Sequence, residues 1–431
     1  MNYIKKIQIN KSKNNKKTLK NKSKNSKKTL KNKSKNNNIF EKIKNNLKTK
    51  LNEIYANINF NKKTYINLLH SLIYKEHKRL HNKYKTNLII INISNTLNNT
   101  ITKTKFNIFN KEQIPNDSRI IIFQKYLLDL CKWIDIKYNK IKINTCILLW
   151  ASDRFIYEIE NIDKLIPICL YAAPKNLNYI LVPDSTFIYI NEEKRYSING
   201  LDWSHQKKLF DDTNNDTNND TNNNTNNTKI NKIFFKGADT TFTNHNLRKY
   251  IFFKLENEND IEFKNVMLYD FLDKTNYESI KVFKKYKFNL NLPGHYPWSS
   301  RLKYLYLSKT FIINVRVKTI VNKSSEIHEH YHSFIDLIVP DSYCININMN
   351  YYYSTDTDII YKKENDEECE KVYNKIKDIY YKYKNIDVTK NKKVNDAYNI
   401  INALETEHVY EYYYNIILRN QKLGMKQITK L

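Results

Sequence analysis

Arg301 is the first residue of this chain whose type and setting suggest chemistry. It follows a loop in which Pro293, Gly294 and Pro297 forbid regular structure, and it opens a segment whose Leu302, Leu305 and Tyr306 recur at helical spacing, with Ser299 and Ser300 as candidate caps. A permanently charged, forked guanidinium at a helix start suits a phosphate, because free backbone N–H groups and the helix dipole favour an anion there. A second basic point, Lys236-Gly237, ends the apolar run 233–235; lysine offers phosphate a point charge without a bidentate fork. The run Glu326 to His332 carries His328, His330 and His332 in alternation with Glu326 and Glu329. Three histidines at a spacing of two share a face only if the segment is extended, and such a face beside carboxylates would suit a metal; a surface helix of mixed charge is the other reading. Asp153 ends an apolar run and by itself reads as a loop or helix-capping aspartate.

Positioning these groups needs strands and helices around them. KYKFNLNL (285–292) alternates apolar and polar residues as a half-buried strand does, and FIINV (311–315) reads as the next strand. Strand, loop, helix and strand make one Rossmann-like unit, which holds its ligand where loop meets helix. INTCILLW (143–150) has the length of a buried parallel strand. The pattern predicts helices over 65–84, with Leu68, Leu69, Leu72 and Ile73 on one face, and over 119–138, with Ile122, Tyr126, Leu130 and Trp133. Further helices are expected over 246–255, 364–385 and 394–418, a strand-like piece over 263–272, and a short helix around Trp203.

Four blocks, taken in order, carry a resemblance. They are NYILVPDSTF (178–187), IFFKGADTT (233–241), the run from Lys284 to Val315, and EIHEHYH (326–332) followed by LIVP (337–340). Together they resemble the CAP10-like glycosyltransferases, glycosyltransferase family 90, which includes protein O-glucosyltransferases and O-xylosyltransferases. The likeness covers residues 143–350. It implies an α/β fold of two Rossmann-like domains facing a cleft, the GT-B type, with the C-terminal helices packing back across both. It implies inverting, metal-independent transfer of a hexose or pentose from UDP-glucose or UDP-xylose, with no cofactor, to a hydroxyl on a protein serine or threonine or on a glycan. Asp153 would be the catalytic base; it alone matches the family's Asn-x-x-Asp-x-Pro pattern, and Phe155 stands where proline is usual. Donor binding would fall to Lys236, where the family has arginine, and to Gly237, Asp239, Thr240, Gly294, Ser299, Ser300, Arg301 and Glu329. Pro340-Asp-Ser-Tyr343 replaces the family's usual Pro-Trp-x-His turn.

The net charge of +29 first suggests a nucleic acid or an anionic surface as partner. Its distribution weakens that reading, because eighteen lysines against Glu41 alone place most of the excess in residues 1–50. That head repeats KSKNNKKTLKN as KSKNSKKTLKN, holds one leucine per repeat and no stacking aromatics, and reads as a disordered tail. The expected organisation is the tail at 1–50, an acceptor-side domain with the base at 51–200, an Asn/Thr/Asp insertion at 211–228, a donor domain at 229–360 and C-terminal helices at 361–431. No window has the length of a membrane helix, and the first residues lack the apolar core of a signal peptide. The resemblance nonetheless implies the endoplasmic reticulum or secretory lumen. Cys131, Cys146, Cys169, Cys344 and Cys369 show no paired spacing and an odd total; Cys146 and Cys344 fall in expected strands and make buried free thiols the plain reading, while the pattern neither shows nor excludes the disulfides on which luminal relatives rely. Two other functions stay open: a family member without turnover that acts as a scaffold or binding protein, and binding of nucleic acid or an anionic surface through the basic head.

Overall fold

The computed structural model describes residues 38–61, 65–69, 71–72, 88–98, 101–109, 118–150, 162–184, 187, 202–211, 229–238, 247–258, 261–268, 280–294, 299–321, 326–353 and 362–428. The chain is a mixed α/β protein. A helix over 38–56, α1, comes first. Its Ile43, Leu47 and Leu51 are buried at helical spacing, and Tyr55 donates to Asn420 Oδ1 at 2.5 Å. The tail expected over 1–50 is therefore helical from residue 38, because the apolar stripe finds a partner helix to cover it; residues 1–37 lie outside the described residues.

Alternation then builds the first sheet. In β1 (Leu88–Asn98), Ile89, Ile91 and Ile93 face one core, and Leu88 and Ile90 face another. β2 (Ile101–Ile108) pairs with β1 as an antiparallel hairpin, and α2 (Ser118–Lys137) packs against it. β3 (Asn144–Trp150) lies antiparallel to β1 and parallel to β4 (Ile168–Leu170). After β5 (Ala172–Pro174), β6 (Ile180–Leu181) adds a further parallel strand, giving the order β2-β1-β3-β4-β6. INTCILLW thus has a parallel neighbour on one side only, and the N-terminal sheet is mixed rather than an all-parallel unit. Of the helix expected over 65–84, residues 65–69 and 71–72 are helical and the remainder lies outside the described residues.

After α3 (Trp203–Lys208), the second sheet is parallel at its centre. β7 (Ile230–Ala238) leads through α4 (Leu247–Glu256) to β8 (Phe263–Leu268), and β9 (Tyr286–Asn291) leads through α5 (Leu302–Leu307) to β10 (Phe311–Val321). β11 (Glu326–His328) folds back along β10, β12 (Tyr331–Ser333) crosses to pair with β5, and β13 (Ile345–Tyr353) returns beside β10. The order β8-β7-β9-β10-β13 reverses between β7 and β9, and ligands of open parallel sheets bind outside the carboxyl ends of the strands at such a reversal.

Three helices end the described chain. α6 (Lys362–Tyr383) covers β13, α7 (Lys392–Ala403) packs on α5, and α8 (Thr406–Lys422) packs on β3. The single helix expected over 394–418 is broken at Leu404-Glu405. The Leu404 carbonyl is taken by Trp203 Nε1 at 2.7 Å and Lys207 Nζ at 2.9 Å, and a new helix starts where the Glu405 N–H donates to His408 Nδ1 at 2.9 Å. Among the described residues, no helix is long and apolar enough to cross a membrane. All five cysteines are buried free thiols, as their spacing suggested, and burial pushes Cys169 above the ordinary range and Cys146 up to about 11.

Candidate functional site

The reversal point between β7 and β9 gathers cations. Phe235 and Gly237 lie on one face of β7, and the Arg301 guanidinium reaches back over them, its carbon 4.4 Å from the Phe235 ring centre. Arg248, in the first turn of α4, approaches the same ring at 5.2 Å and donates from Nε to the Pro293 carbonyl at 2.9 Å. Two guanidinium groups therefore flank one phenyl ring at the carboxyl edge of the sheet. The missing side chain at 237 makes this possible: a Cβ there would sit 2.8 Å from Arg301 Nη2 and 2.9 Å from Phe235 Cζ. Gly294 ends the stretch that follows β9, beside the Pro293 carbonyl held by Arg248.

Ser299 and Ser300 do not cap a helix. The α5 N-cap is Arg301, with no side-chain cap bond, and α5 has six residues, so its dipole adds little to an anion site. Ser299 Oγ instead accepts from Arg301 Nε at 2.9 Å and aims the guanidinium, while the Ser300 carbonyl accepts from Lys303 Nζ at 2.7 Å. Lys236 leaves β7 on the face opposite Arg301, since neighbouring strand residues alternate. The register that sets Phe234 against Asn289 brings Lys236 opposite Asn291. From there a row of amides crosses the sheet: Asn291 Nδ2 donates to Asn314 Oδ1 at 2.8 Å, Asn314 Nδ2 to Asn346 Oδ1 at 2.9 Å, and Asn346 Nδ2 to the Asp341 carbonyl at 2.7 Å. Asn291 Oδ1 is buried with no hydrogen-bond partner among the described residues. Asp153, Asp239 and Thr240 lie outside the described residues.

Two features were missed by reasoning from sequence. Arg248 sits in a helix that reads as an ordinary amphipathic one, and nothing local marks its reach to the strand ends. Lys303 is the other: its side chain is 1 % exposed, and its Nζ meets Asp184 Oδ2 at 3.1 Å. Asp184 closes β6, so this pair ties the first sheet to α5 two residues from Arg301. The PD corner of the 178–187 block was the available signal, but its partner lies 119 residues away.

Glu329 lies at the turn between β11 and β12, paired with Lys318 at 3.0 Å, and is partly exposed. The histidine segment is extended here, yet the three rings do not gather: His328 is buried, while His330 and His332 join Asp341 with ligand atoms within 4.8 Å of one another. Arg316 occupies that group, donating to His330 Nε2 at 2.9 Å and meeting Asp341 Oδ1 at 3.1 Å, and Lys175 Nζ lies 3.8 Å from Asp341. These cations supply the positive charge an ion would bring, and the accepting Nε2 marks His330 as neutral.

Burial, with the Arg316 charge next, pushes His330 from 6.5 down to about 4, and burial also lowers His332. Between those two values the unfolded chain binds the proton that folded His330 refuses, so stability falls as pH drops from about 6.5 towards 4, at up to ~1.4 kcal/mol per pH unit from this histidine. Asp336, raised by burial and facing His332, opposes this at the acid end. Urea unfolding at pH 7 and pH 5 is expected to show the loss, and His330→Gln, which keeps an acceptor for Arg316, is expected to remove about one proton from the slope. An unchanged slope would exclude His330 as its source.

No protein-family model matches this chain, and no curated protein matches it.

Proposed function

We propose that the chain is a UDP-sugar-dependent glycosyltransferase that moves a hexose or pentose to a hydroxyl of a protein or glycan, by inversion and without a metal. The observation that carries this reading is the convergence of Arg301 and Arg248 over Phe235 and Gly237 at the strand-order reversal. Two delocalised, forked cations at the carboxyl edge of a parallel sheet are suited to the diphosphate of a nucleotide and to the charge that develops as UDP departs. The CAP10-like resemblance supplies the sugar. In this reading the two sheet units face each other across a cleft in the GT-B manner, and the donor lies on the second unit with its diphosphate against Arg301. Gly237, Gly294 and Ser299 shape and aim the cradle, Ser300 holds Lys303 behind it, and Glu329 reaches the sugar or ribose hydroxyls. Lys236, with Asp239 and Thr240, belongs to the same edge. Asp153 takes the acceptor proton in an in-line displacement.

The test is UDP binding by calorimetry together with UDP-glucose and UDP-xylose hydrolysis or transfer. Arg301→Ala is expected to lose UDP affinity by about a hundredfold, the scale of a charge-assisted bidentate contact. Asp153→Asn is expected to keep UDP affinity and lose turnover. Equal turnover in all three proteins would remove both roles. UDP binding without turnover in the unaltered protein would instead favour a scaffold, a reading that the lysine at 236 and the phenylalanine at 155 also support.

A further inference from the structure

We propose that a second site, a cavity between α2, α3 and α8, binds a small organic cation carrying an ammonium head group. The cavity has a volume of about 220 Å³, below the roughly 300–1,000 Å³ of sites for drug-sized ligands, so it suits a head group rather than a nucleotide or an oligosaccharide. Half of its described lining residues are aromatic: Tyr126 from α2, Phe187, Trp203 from α3, and Tyr410 and Tyr413 from α8. Tyr126 stands 5.2 Å from Tyr410 and 5.4 Å from Tyr413 between ring centres, so three phenols form one cluster. The faces of such rings are negative and attract a cation seated against them in the cavity.

The polar residues of the lining point the same way. Among the described residues, its two charged members are both carboxylates, Asp129 on α2 and Asp202 at the start of α3, and no described lysine, arginine, histidine or amide side chain lines it. An anion would meet two carboxylates, each paired among the described residues only with a residue one turn away on its own helix, Lys132 at 3.2 Å and His205 Nδ1 at 2.8 Å, both of them exposed. A sugar would find rings to stack on and hydroxyls on Thr406 and the tyrosines, with the Trp203 N–H already spent on the Leu404 carbonyl, so methyl glucoside is the competitor the test includes. What favours an ammonium over a neutral sugar is the pair of carboxylates beside the π faces, which attract positive charge. Asp129 is otherwise engaged only with Lys132 among the contacts described for it, an exposed pair at 3.2 Å on its own helix and therefore weakly held. Asp202 accepts from the His205 backbone N–H at 2.9 Å and from Ser204 at 3.0 Å and lies 2.8 Å from His205 Nδ1, which keeps its carboxylate fixed at the rim.

The cation can be a free amine or the methylated lysine of a peptide; the chemistry at the cavity is shared. The test titrates the full chain with choline, with 3,3-dimethylbutan-1-ol as its uncharged isostere, with methyl glucoside and with a trimethyllysine peptide, read by calorimetry and by tryptophan fluorescence. Choline or the peptide is expected to saturate, with the isostere and the glucoside at least about tenfold weaker. Tighter choline points to a free amine and a tighter peptide to a modified lysine. Asp129→Asn with Asp202→Asn is expected to weaken the cation by about tenfold without lowering the melting temperature, because asparagine caps a helix as well as aspartate. The proposal is overturned if the isostere matches the cations, if the glucoside binds and they do not, if neither cation binds, or if the asparagine pair changes nothing. UDP affinity plays no part in any of these outcomes, so this site and the nucleotide site stand or fall separately.

Discussion

Alanine at position 237 is expected to weaken UDP binding by about ten- to a hundredfold while the protein stays folded. The backbone tolerates the change, since Gly237 is not among the residues with positive φ. The new methyl would lie 2.8 Å from Arg301 Nη2 and 2.9 Å from Phe235 Cζ, and the easier of the two to move is the end of the arginine side chain. The guanidinium then leaves its seat on the ring, a contact worth about 0.5–2 kcal/mol, and loses the geometry that Ser299 gives it. Valine at 237 extends the effect, and Arg301→Lys, which keeps charge and drops the fork, should fall between the unaltered protein and Arg301→Ala. Calorimetry with UDP measures all of these. Full affinity in Gly237→Ala would show that the arginine seated on Phe235 is not what holds the nucleotide.

Lys303→Met is expected to destabilise the protein by roughly 3–5 kcal/mol, the cost of stranding one member of a buried ion pair. The ammonium is enclosed at 1 % exposure, contacts both Asp184 oxygens at 3.1 and 3.3 Å, and takes the Ser300 carbonyl at 2.7 Å. Phe187 and Tyr304 close over it with ring centres 4.6 and 4.8 Å away. Methionine fills the same space and leaves the Asp184 carboxylate in the wall without the ammonium that meets both of its oxygens. Asp184→Asn in the same chain should recover much of the loss, because a neutral amide is far cheaper to bury. Urea unfolding of the single and double variants gives the coupling. A single-variant cost under about 1 kcal/mol would mean that the pair adds no more than a surface contact.

Local pattern named element types well but not their burial: β9, whose alternation reads as half-buried, is covered on both faces because Asn289 and Asn291 are enclosed with the apolar side chains. The alternation in 285–292, the apolar run of 143–150 and the helical stripe of 119–138 each became the element their period requires, and the Pro-Gly loop before Arg301 marked a strand end correctly. The stripe Ile39, Ile43, Leu47 was present in the sequence too, but lysine dilution hid it until α8 supplied the other half of its contact.

By itself, then, the sequence determined that 118–137 is a helix, that 144–150, 286–291 and 311–315 are strands, and where basic residues meet loop breakers, because those depend on periodicity over a few residues and on the stereochemistry of proline and glycine. Tertiary structure decided which cations share a site. It sent Lys236 to the face away from Arg301, carried Arg248 from a helix to the strand ends, turned β1 antiparallel to β3, and matched Lys303 to Asp184. Each outcome rests on strand register or on contact between residues far apart in the chain, and neither is written into any local window.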